Sequence, residues 1–251
     1  KGRLLVLRGG RFEDSGFAGP EFPIGLVSAS PAGLWVSWRD GSIREIVRGS
    51  VRRVLRIPGE LTTTGVHEWP DGRITIATHM GLFEWRDGVL KDLIPRGSAS
   101  LIIVTDMRVE PDGTVWASTD GSGLFRLRNG EIRQLTTRQG LFDDLIFKVL
   151  DDGLGFFWLS SNKGITRLSK AEANAVADGR ALRVTPVHFG ADDGMASSEC
   201  DGGAAAQSAE RLWFPTIEGV AVIDPRNAEL PRVPSKLRIV EVRGDGTPIP
   251  G

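Results

Sequence analysis

The sequence has very little cysteine and no long apolar stretch. Cys200 is the single cysteine, so one chain cannot form an internal disulfide or a cysteine-based metal site. No apolar run reaches the roughly 18 residues that a membrane-spanning helix needs. The first eight residues lack the apolar core and cleavage site of a signal peptide. We therefore expect neither a membrane-spanning helix nor a signal peptide in this sequence, and we expect the sequence to begin inside a larger protein.

An excess of charge of one sign is also missing. Lys and Arg total 31 against 32 Asp and Glu, which gives a formal net charge of −1. Such a balance produces no strong field toward nucleic acid or an anionic membrane. Basic residues are not interleaved with aromatic ones, as they are in many nucleic-acid-binding proteins. We expect no nucleic-acid partner, and membrane attachment only through segments outside this sequence.

Sequence signatures of catalysis and metal binding are absent as well. The three histidines, His67, His79 and His188, have no ligand spacing to one another. Asp pairs at 143–144, 151–152 and 192–193 stand in glycine-bounded turns, where Asp is favoured for local hydrogen bonding. There is no serine nucleophile elbow, phosphate-binding glycine loop or dinucleotide fingerprint. These observations predict no catalytic residue, no metal and no cofactor.

A repeat runs along almost the whole chain. Its first element is Gly-x-(Leu/Ile/Val)-Trp-apolar-small, and the Trp position is occupied by Trp35, Thr75, Trp116, Trp158 and Trp213. The spacings are 75−35=40, 116−75=41, 158−116=42 and 213−158=55. A period of about 40–45 residues is typical of one four-stranded propeller blade. The Trp positions are therefore expected in the core between blades, rather than on a ligand-stacking surface.

A second element follows the first and resembles Gly-Leu-Phe-Arg-Leu. Asp-Gly and Asn-Gly pairs close its copies at 87–88 and 129–130, and such pairs predict two-residue hairpins. The first residues match this element, so residues 1–15 are expected to form half a blade. The long last spacing needs an insertion, and Ser169-Lys170-Ala171-Glu172 predicts a short helix near residues 169–179.

Together these signals predict an all-β fold, a β-propeller of four-stranded blades. We expect about five blades and a half-blade within residues 1–230, in a ring that is incomplete or smaller than usual. After Asp224-Pro225 the repeat stops. Residues 231–251 are expected to form a proline-rich linker and the first strand, Leu237–Val242, of a following β-sandwich domain.

The motifs Gly113–Ser118, Gly123–Leu127 and Gly140–Asp152 resemble the two-component regulator propeller family, as does Asp193–Gly203. The resemblance covers about residues 1–225, although this chain shows fewer repeats than family members. It implies a periplasmic sensor domain of a bacterial histidine kinase or related regulator, attached to the inner membrane and passing ligand binding to a C-terminal output domain. It further implies a small-molecule or carbohydrate ligand, and a homodimer formed through the C-terminal region.

In a propeller, the loops between second and third strands gather on one face with the connections between blades. The residues expected there, as candidates for binding a polar ligand, are Arg39, His79, Asp120, Asn162, Lys163 and Glu218. The alternative for each is a solvated turn residue chosen for backbone geometry. The connections should add Asp143, Asp144, Asp192, Asp193 and Glu199.

Two other functions stay open. A propeller lyase resembling streptogramin (virginiamycin B) lyase would need a catalytic histidine, nearby carboxylates and a divalent metal. His79 is the only histidine expected on that face. The third reading is an interaction scaffold without a small ligand. The strand pattern Leu237–Val242 favours the sensor, because a lyase would end where its ring closes.

Overall fold

The fold is dominated by short antiparallel strands. The computed structural model describes residues 3–9, 11–18, 23–29, 33–38, 40–57, 62–94, 102–202, 204–208, 210–228, 242–244 and 247–249. These ranges contain 23 β-strands and one α-helix. No helix within them is long and apolar enough to cross a membrane.

The first half of the described chain contains fourteen strands. They are β1 (Arg3–Arg8), β2 (Arg11–Ala18), β3 (Pro23–Ala29), β4 (Leu34–Trp38), β5 (Ser42–Val47), β6 (Ser50–Arg56), β7 (Thr63–Glu68), β8 (Ile74–Thr78), β9 (Gly81–Arg86), β10 (Val89–Asp92), β11 (Val104–Val109), β12 (Val115–Thr119), β13 (Leu124–Arg128) and β14 (Glu131–Leu135).

The second half adds nine strands and the helix. In chain order they are β15 (Lys148–Asp151), β16 (Phe156–Ser161), β17 (Gly164–Ser169), α1 (Lys170–Ala177), β18 (Val187–Phe189), β19 (Ala206–Gln207), β20 (Leu212–Thr216), β21 (Gly219–Ile223), β22 (Val242–Gly244) and β23 (Thr247–Ile249).

The sheets follow the predicted repeat. Blades 1 to 4 are the four-stranded sheets β3–β6, β7–β10, β11–β14 and β15–β18, and the described residues of blade 5 form the three-stranded sheet β19–β21. The pairs β1–β2 and β22–β23 form separate two-stranded sheets. Inner strands of neighbouring blades lie side by side, because β7 contacts both β3 and β11, and β11 contacts β15. This arrangement confirms the β-propeller prediction.

The Trp positions lie between blades, as the repeat predicts. Trp35, Trp116 and Trp158 are fully buried. The indole N–H of Trp116 donates to Glu110 at 2.7 Å, and that of Trp158 donates to Asp152 at 2.9 Å. Each acceptor stands six residues before its tryptophan. In blades 3 and 4 the buried indole therefore keeps its hydrogen bond while its ring fills the core.

Blade 2 uses the same pair of positions in the opposite order. Thr75 occupies the Trp position, and Trp69 stands six residues before it. The indole N–H of Trp69 donates to the Thr75 hydroxyl at 2.8 Å. The same two positions are joined by a hydrogen bond as in blades 3 and 4, but here the earlier residue donates and the later one accepts. This bond explains how the blade accommodates threonine at the Trp position.

Hairpin turns close the outer strands of blades 2 and 3 as predicted. Asp87 and Gly88 have φ of 51° and 84°, and Asn129 and Gly130 have φ of 52° and 78°. Strands β9 and β10 pair directly across the first turn, and β13 and β14 across the second. Positive φ at both central residues is the requirement of a type I′ turn.

Blades 3 and 4 are joined along the inner strand of blade 3 by three ion pairs. On β11 and just after it, Asp106, Arg108 and Glu110 point toward blade 4 at every second residue. Asp106 lies 3.4 Å from Lys148, Arg108 lies 3.8 Å from Asp151, and Glu110 lies 2.5 Å from Lys170. The alternation of a strand places all three groups on one face.

A threonine at the start of β7 and β11 adds a second link between inner strands. The Thr64 hydroxyl donates to the carbonyl of Val104 at 2.9 Å, and the Thr105 hydroxyl donates to that of Ile146 at 2.5 Å. Both threonines sit at irregularities in the strand register. The irregularity turns each hydroxyl toward the next blade.

Helix α1 lies in the segment where the sequence predicts a helix. The Ser169 hydroxyl accepts a hydrogen bond from the backbone N–H of Glu172 at 3.3 Å, which is the N-cap half of the expected capping box. The Glu172 carboxylate instead accepts from the backbone N–H of Thr185 at 2.7 Å. This bond ties the returning chain to the helix.

The helix is fastened to blade 3 by Arg126 on β13. The guanidinium is almost fully buried and donates to the Asn174 side chain at 2.8 Å and to Asp178 at 2.5 Å. Ala173 and Ala177 pack into the adjoining apolar cluster. The insertion therefore fills the outer groove between blades 3 and 4.

The sequence also predicts a linker and a strand at the C-terminus. Residues 229–241 lie outside the described residues, and they include most of the predicted strand Leu237–Val242. The domain boundary near residue 230 stays a prediction.

Cys200 is buried, and its backbone forms an isolated antiparallel β-bridge with Thr216 of β20, in keeping with a structural thiol. Burial raises the pKa of that thiol above its usual range.

Candidate functional site

One face of the propeller carries both kinds of loop that the sequence singles out. We call it the loop face; it holds the turns between second and third strands and the connections between blades. The backbone N–H of His79 donates to Thr62, that of Asp120 donates to Ile103, and that of Ile217 donates to Glu199. Each bond joins a turn to the connection that enters the same blade.

The predicted site residues lie on this face in exposed positions. His79, Asp120, Asn162, Lys163 and Glu218 each occupy the turn between the second and third strands of blades 2 to 5. Arg39 lies outside the described residues. The turns are therefore brought to one face, although the structure does not join all five side chains into one cluster.

The connections into blades 4 and 5 repeat one local structure. Thr136 and Gly190 begin short 3-10 turns, and their backbone N–H groups are capped by the side chains of Gln139 and Asp193 at 3.0 and 2.9 Å. Gly140 and Gly194 end these turns with φ of 94° and 95°. Such positive φ favours glycine.

A second side chain stabilises each of these turns. The Asp144 carboxylate accepts from the backbone N–H of Thr137 at 2.6 Å, and the Ser198 hydroxyl accepts from that of Ala191 at 2.9 Å. Asp144 and Asp193 therefore stabilise the two 3-10 turns by accepting backbone hydrogen bonds. For these two residues, the turn role that the sequence left as an alternative is the observed one.

A polar cleft of about 340 Å³ opens beside the first connection. It lies between the Asp120–Gly123 turn of blade 3 and the 3-10 turn, and its floor is near Gln134 of β14. Its lining is Gly121, Ser122, Gln134, Thr136, Thr137, Arg138, Gln139 and Asp144. The Gln134 amide donates to the carbonyl of Ser122 at 2.9 Å, and the backbone N–H of Gly123 donates to the carbonyl of Asp144 at 2.7 Å, which links the two sides of the cleft. Hydroxyls, amides and one exposed guanidinium suit a polar ligand.

An aromatic stack involves the same connection, since Phe142 lies in the chain between the cleft residues Gln139 and Asp144. The rings of Phe142 and His188 are nearly parallel at 9°, with centroids 3.5 Å apart. His188 covers one side of the Phe142 ring, yet Phe142 remains 42% exposed. Lys163, one of the predicted residues, pairs with Asp143 at 3.3 Å beside this stack. The structure thus joins one predicted residue to an exposed apolar surface.

His188 corrects the expectation that His79 is the only histidine on this face. It lies on β18, the outermost described strand of blade 4, and its Nδ1 lies 3.5 Å from the hydroxyl oxygen of Thr166. Burial lowers the pKa of His188 below its usual value, against the opposing effects of Asp193, the Lys163 carbonyl and Asp143. The sequence offered Phe142 inside a quoted motif but no signal for its contact with His188.

Metal ligands are not gathered on this face. Across the described ranges, no three side chains of His, Cys, Asp or Glu are close enough together to hold a metal ion. His67, the remaining histidine, contacts Trp69 edge-to-face in the inner part of blade 2, with ring centroids 4.8 Å apart.

Comparison with solved structures identifies the fold. No known family's sequence profile matches the chain, and no curated protein matches its sequence. Solved structures do match. The extracellular domain of BT3049, assigned to a hybrid two-component system of B. thetaiotaomicron, superposes with a TM-score of 0.65 at 14% identity over 86% of this chain. The chain has the β-propeller fold.

Two further structures are similar. The extracellular domain of BT4673 from the same organism gives a TM-score of 0.62 at 18% identity over 88% of this chain. Virginiamycin B lyase from Staphylococcus aureus, in a catalytically inactive histidine-to-alanine variant with quinupristin, gives 0.59 at 12% identity over 88%. The propeller covers only 29% and 30% of the two extracellular domains but 76% of the lyase.

Proposed function

We propose that this propeller is the ligand-sensing domain of a bacterial two-component signalling protein, located outside the cytoplasm in the periplasm. The observation that carries the proposal is the loop face of blades 3 and 4, where one connection carries both residues of a polar cleft and the exposed Phe142, stacked on His188. The likeness to extracellular domains of two-component systems supports the same assignment. An output domain and a homodimer through the C-terminal region belong to the same proposal.

The ligand that fits this surface has both polar groups and an apolar face. Arg138, Gln139 and the hydroxyls of the cleft provide donors and acceptors, and the open side of Phe142 provides a flat apolar contact. Carbohydrates have this combination, and so do small amphipathic molecules. We propose a carbohydrate as the first ligand class to test.

Thermal unfolding with a ligand library tests the proposal. The protein is screened against oligosaccharides, amino acids and divalent metals. A ligand at 100 times its Kd stabilises the native state by about 2.7 kcal/mol, which raises Tm by roughly 5–10 °C for a chain of this size. We expect one organic class to do so.

Two variants locate the effect. Phe142→Ala should remove most of the ligand-induced shift, since it deletes the exposed ring. Leu154→Ala is the control: Leu154 is 51% exposed in the Gly153–Gly155 turn on the opposite face. No shift with any class, or an equal loss in both variants, would refute binding at the loop face.

A lyase is the second candidate. The likeness to virginiamycin B lyase favours it, since this propeller covers 76% of that chain. His79 and His188 are the two histidines that the described loop face offers for such chemistry, and His188 is stacked under Phe142. Divalent-metal stabilisation that disappears in His79→Ala, together with turnover of quinupristin, would support the lyase and exclude a pure sensor.

A further inference from the structure

The connections into blades 4 and 5 provide a comparison within the molecule. Their 3-10 turns, Thr137–Gln139 and Ala191–Asp193, are closed by backbone hydrogen bonds at equivalent positions. The glycine that ends each turn has nearly the same φ, 94° in one and 95° in the other. Because the two backbones agree, a side chain that differs between them is not required by the geometry of the turn.

Two positions differ in chemistry between the connections. Arg138 in the first corresponds to Asp192 in the second, and Phe142 corresponds to Ala196. Arg138 is exposed, and it contributes to its turn through the backbone N–H, which donates to the Thr136 hydroxyl at 3.2 Å. Its guanidinium has no hydrogen bond or ion pair with any residue that the structure describes. The turn therefore does not explain why an arginine stands at this position.

The cleft of about 340 Å³ contains one residue of each charge among its described lining residues, Arg138 and Asp144. Both oxygens of the Asp144 carboxylate already accept hydrogen bonds from Thr137. The backbone N–H donates to one oxygen at 2.6 Å, and the hydroxyl donates to the other at 3.0 Å. The carboxylate of the cleft is thus engaged by the protein, whereas the guanidinium is available to a ligand.

Gln139 adds an oriented donor to the same cleft. Its side-chain oxygen accepts from the backbone N–H of Thr136 at 3.0 Å and from the Thr136 hydroxyl at 2.9 Å. These two bonds fix the orientation of the amide and leave its NH₂ group for another acceptor. Asp193, at the equivalent position of the second connection, caps its turn in the same way but has no N–H group to donate.

We propose that the cleft binds the carboxylate of an acidic sugar, and that Arg138 selects this ligand. The inference rests on the proposed sensing of a carbohydrate at the loop face. A guanidinium donates to a planar carboxylate with favourable charge and geometry, and the Gln139 NH₂ group adds a neutral donor. A cationic sugar would find no free carboxylate in the described lining, and a neutral sugar would leave the charge of Arg138 unused.

The comparison also supplies variants that the turn accommodates. Arg138→Asp introduces the residue that the equivalent turn carries at Asp192, and Arg138→Gln removes the charge with a smaller change in shape. Since the Arg138 side chain has no described polar partner, we expect the Tm of both unliganded variants to stay within about 2 °C of the original value. Arg133→Gln is the matched control. Arg133 lies on β14, is 53% exposed and pairs with Glu131 at 3.2 Å.

Titration calorimetry with short oligogalacturonates and oligoglucuronates tests the proposal, and the methyl esters of the same sugars are the uncharged comparison. The ester keeps the sugar ring and its hydroxyls and removes the negative charge. We expect the acids to bind about 10–100-fold more tightly than their esters, because a hydrogen bond to a charged group is lost. Added salt should weaken binding of the acids and leave that of the esters unchanged.

The variants assign this preference to one residue. Arg138→Asp and Arg138→Gln should bind acid and ester equally, and Arg133→Gln should retain the preference for the acid. Equal binding of acid and ester by the original protein, or a preference that survives both Arg138 variants, would overturn the inference and leave carbohydrate sensing intact. If neither acidic nor neutral oligosaccharides bind, carbohydrate sensing itself fails, and this inference fails with it.

Discussion

Substitution of Trp116 by Phe tests whether the Trp position holds the blades together. Trp116 is fully buried, and its indole N–H donates to Glu110 at 2.7 Å. Its ring meets that of Phe157 edge-to-face at 5.3 Å. A hydrogen bond to a charged group contributes about 1.5–3 kcal/mol, and an aromatic pair contributes about 0.5–1.5 kcal/mol.

Phenylalanine retains part of the ring contact and none of the hydrogen bond. We therefore expect Trp116→Phe to lower the free energy of unfolding by about 2–4 kcal/mol. Glu110 keeps Lys170 as a partner at 2.5 Å, so the substitution does not leave an isolated buried charge. Urea titration followed by far-UV circular dichroism gives the free energy, and an unchanged m-value shows that the variant unfolds in the same way.

Trp213→Phe is the matched control at the same repeat position. Trp213 is only partly buried, and the residue six positions before it, Gln207, donates to the carbonyl of Asp151 instead. We expect this variant to cost less than about 1.5 kcal/mol. If both substitutions lower the free energy of unfolding by the same amount, the hydrogen bond and the burial of Trp116 do not explain why tryptophan occupies this position.

Three further substitutions test the links between blades and the loop geometry. Hydrogen bonds from Arg126 and Arg180 lower the pKa of Asp178 to about 2. Stability from this group is therefore complete above the unfolded value and is lost as pH falls from about 4 through 2. Asp178→Asn should remove that part of the acid dependence of Tm, and parallel curves for both proteins would contradict it. Thr105→Val leaves the carbonyl of Ile146 without its described donor and should cost about 1–3 kcal/mol in urea titration, while the exposed Thr137→Val serves as the comparison. Gly140→Ala should destabilise more than Gly130→Ala, because a Cβ at Gly140 would lie 2.4 Å from the carbonyl oxygen of Val184, whereas none lies within 4 Å at Gly130. Equal Tm losses for both alanine variants would show that only the positive φ matters.

The sequence predicts which turns share the loop face, and it misses one contact on that face. His79, Asp120, Asn162, Lys163 and Glu218 could be assigned to the loop face because the strand order of a blade dictates which turns share a face. The stack of Phe142 on His188 could not. It joins a blade connection to the outermost strand of the same blade, and the inserted helix α1 separates that strand from β17.

The sequence by itself determines the blades. Their period, their Trp positions and their Asp-Gly and Asn-Gly hairpins are local features, because strand alternation and turn conformation depend on residues near one another in the chain. The N-cap of α1 by Ser169 is local in the same sense.

Tertiary structure decides what happens between blades. The ion pairs of Asp106, Arg108 and Glu110 with blade 4 and the hydrogen bonds of Arg126 to α1 and Asp178 depend on which faces of separate elements meet. Partners in these contacts stand between 42 and 60 residues apart in the chain, and the sequence repeat does not indicate which charged residues at such distances will meet. Register and blade twist select among them, and both follow from packing of the whole propeller.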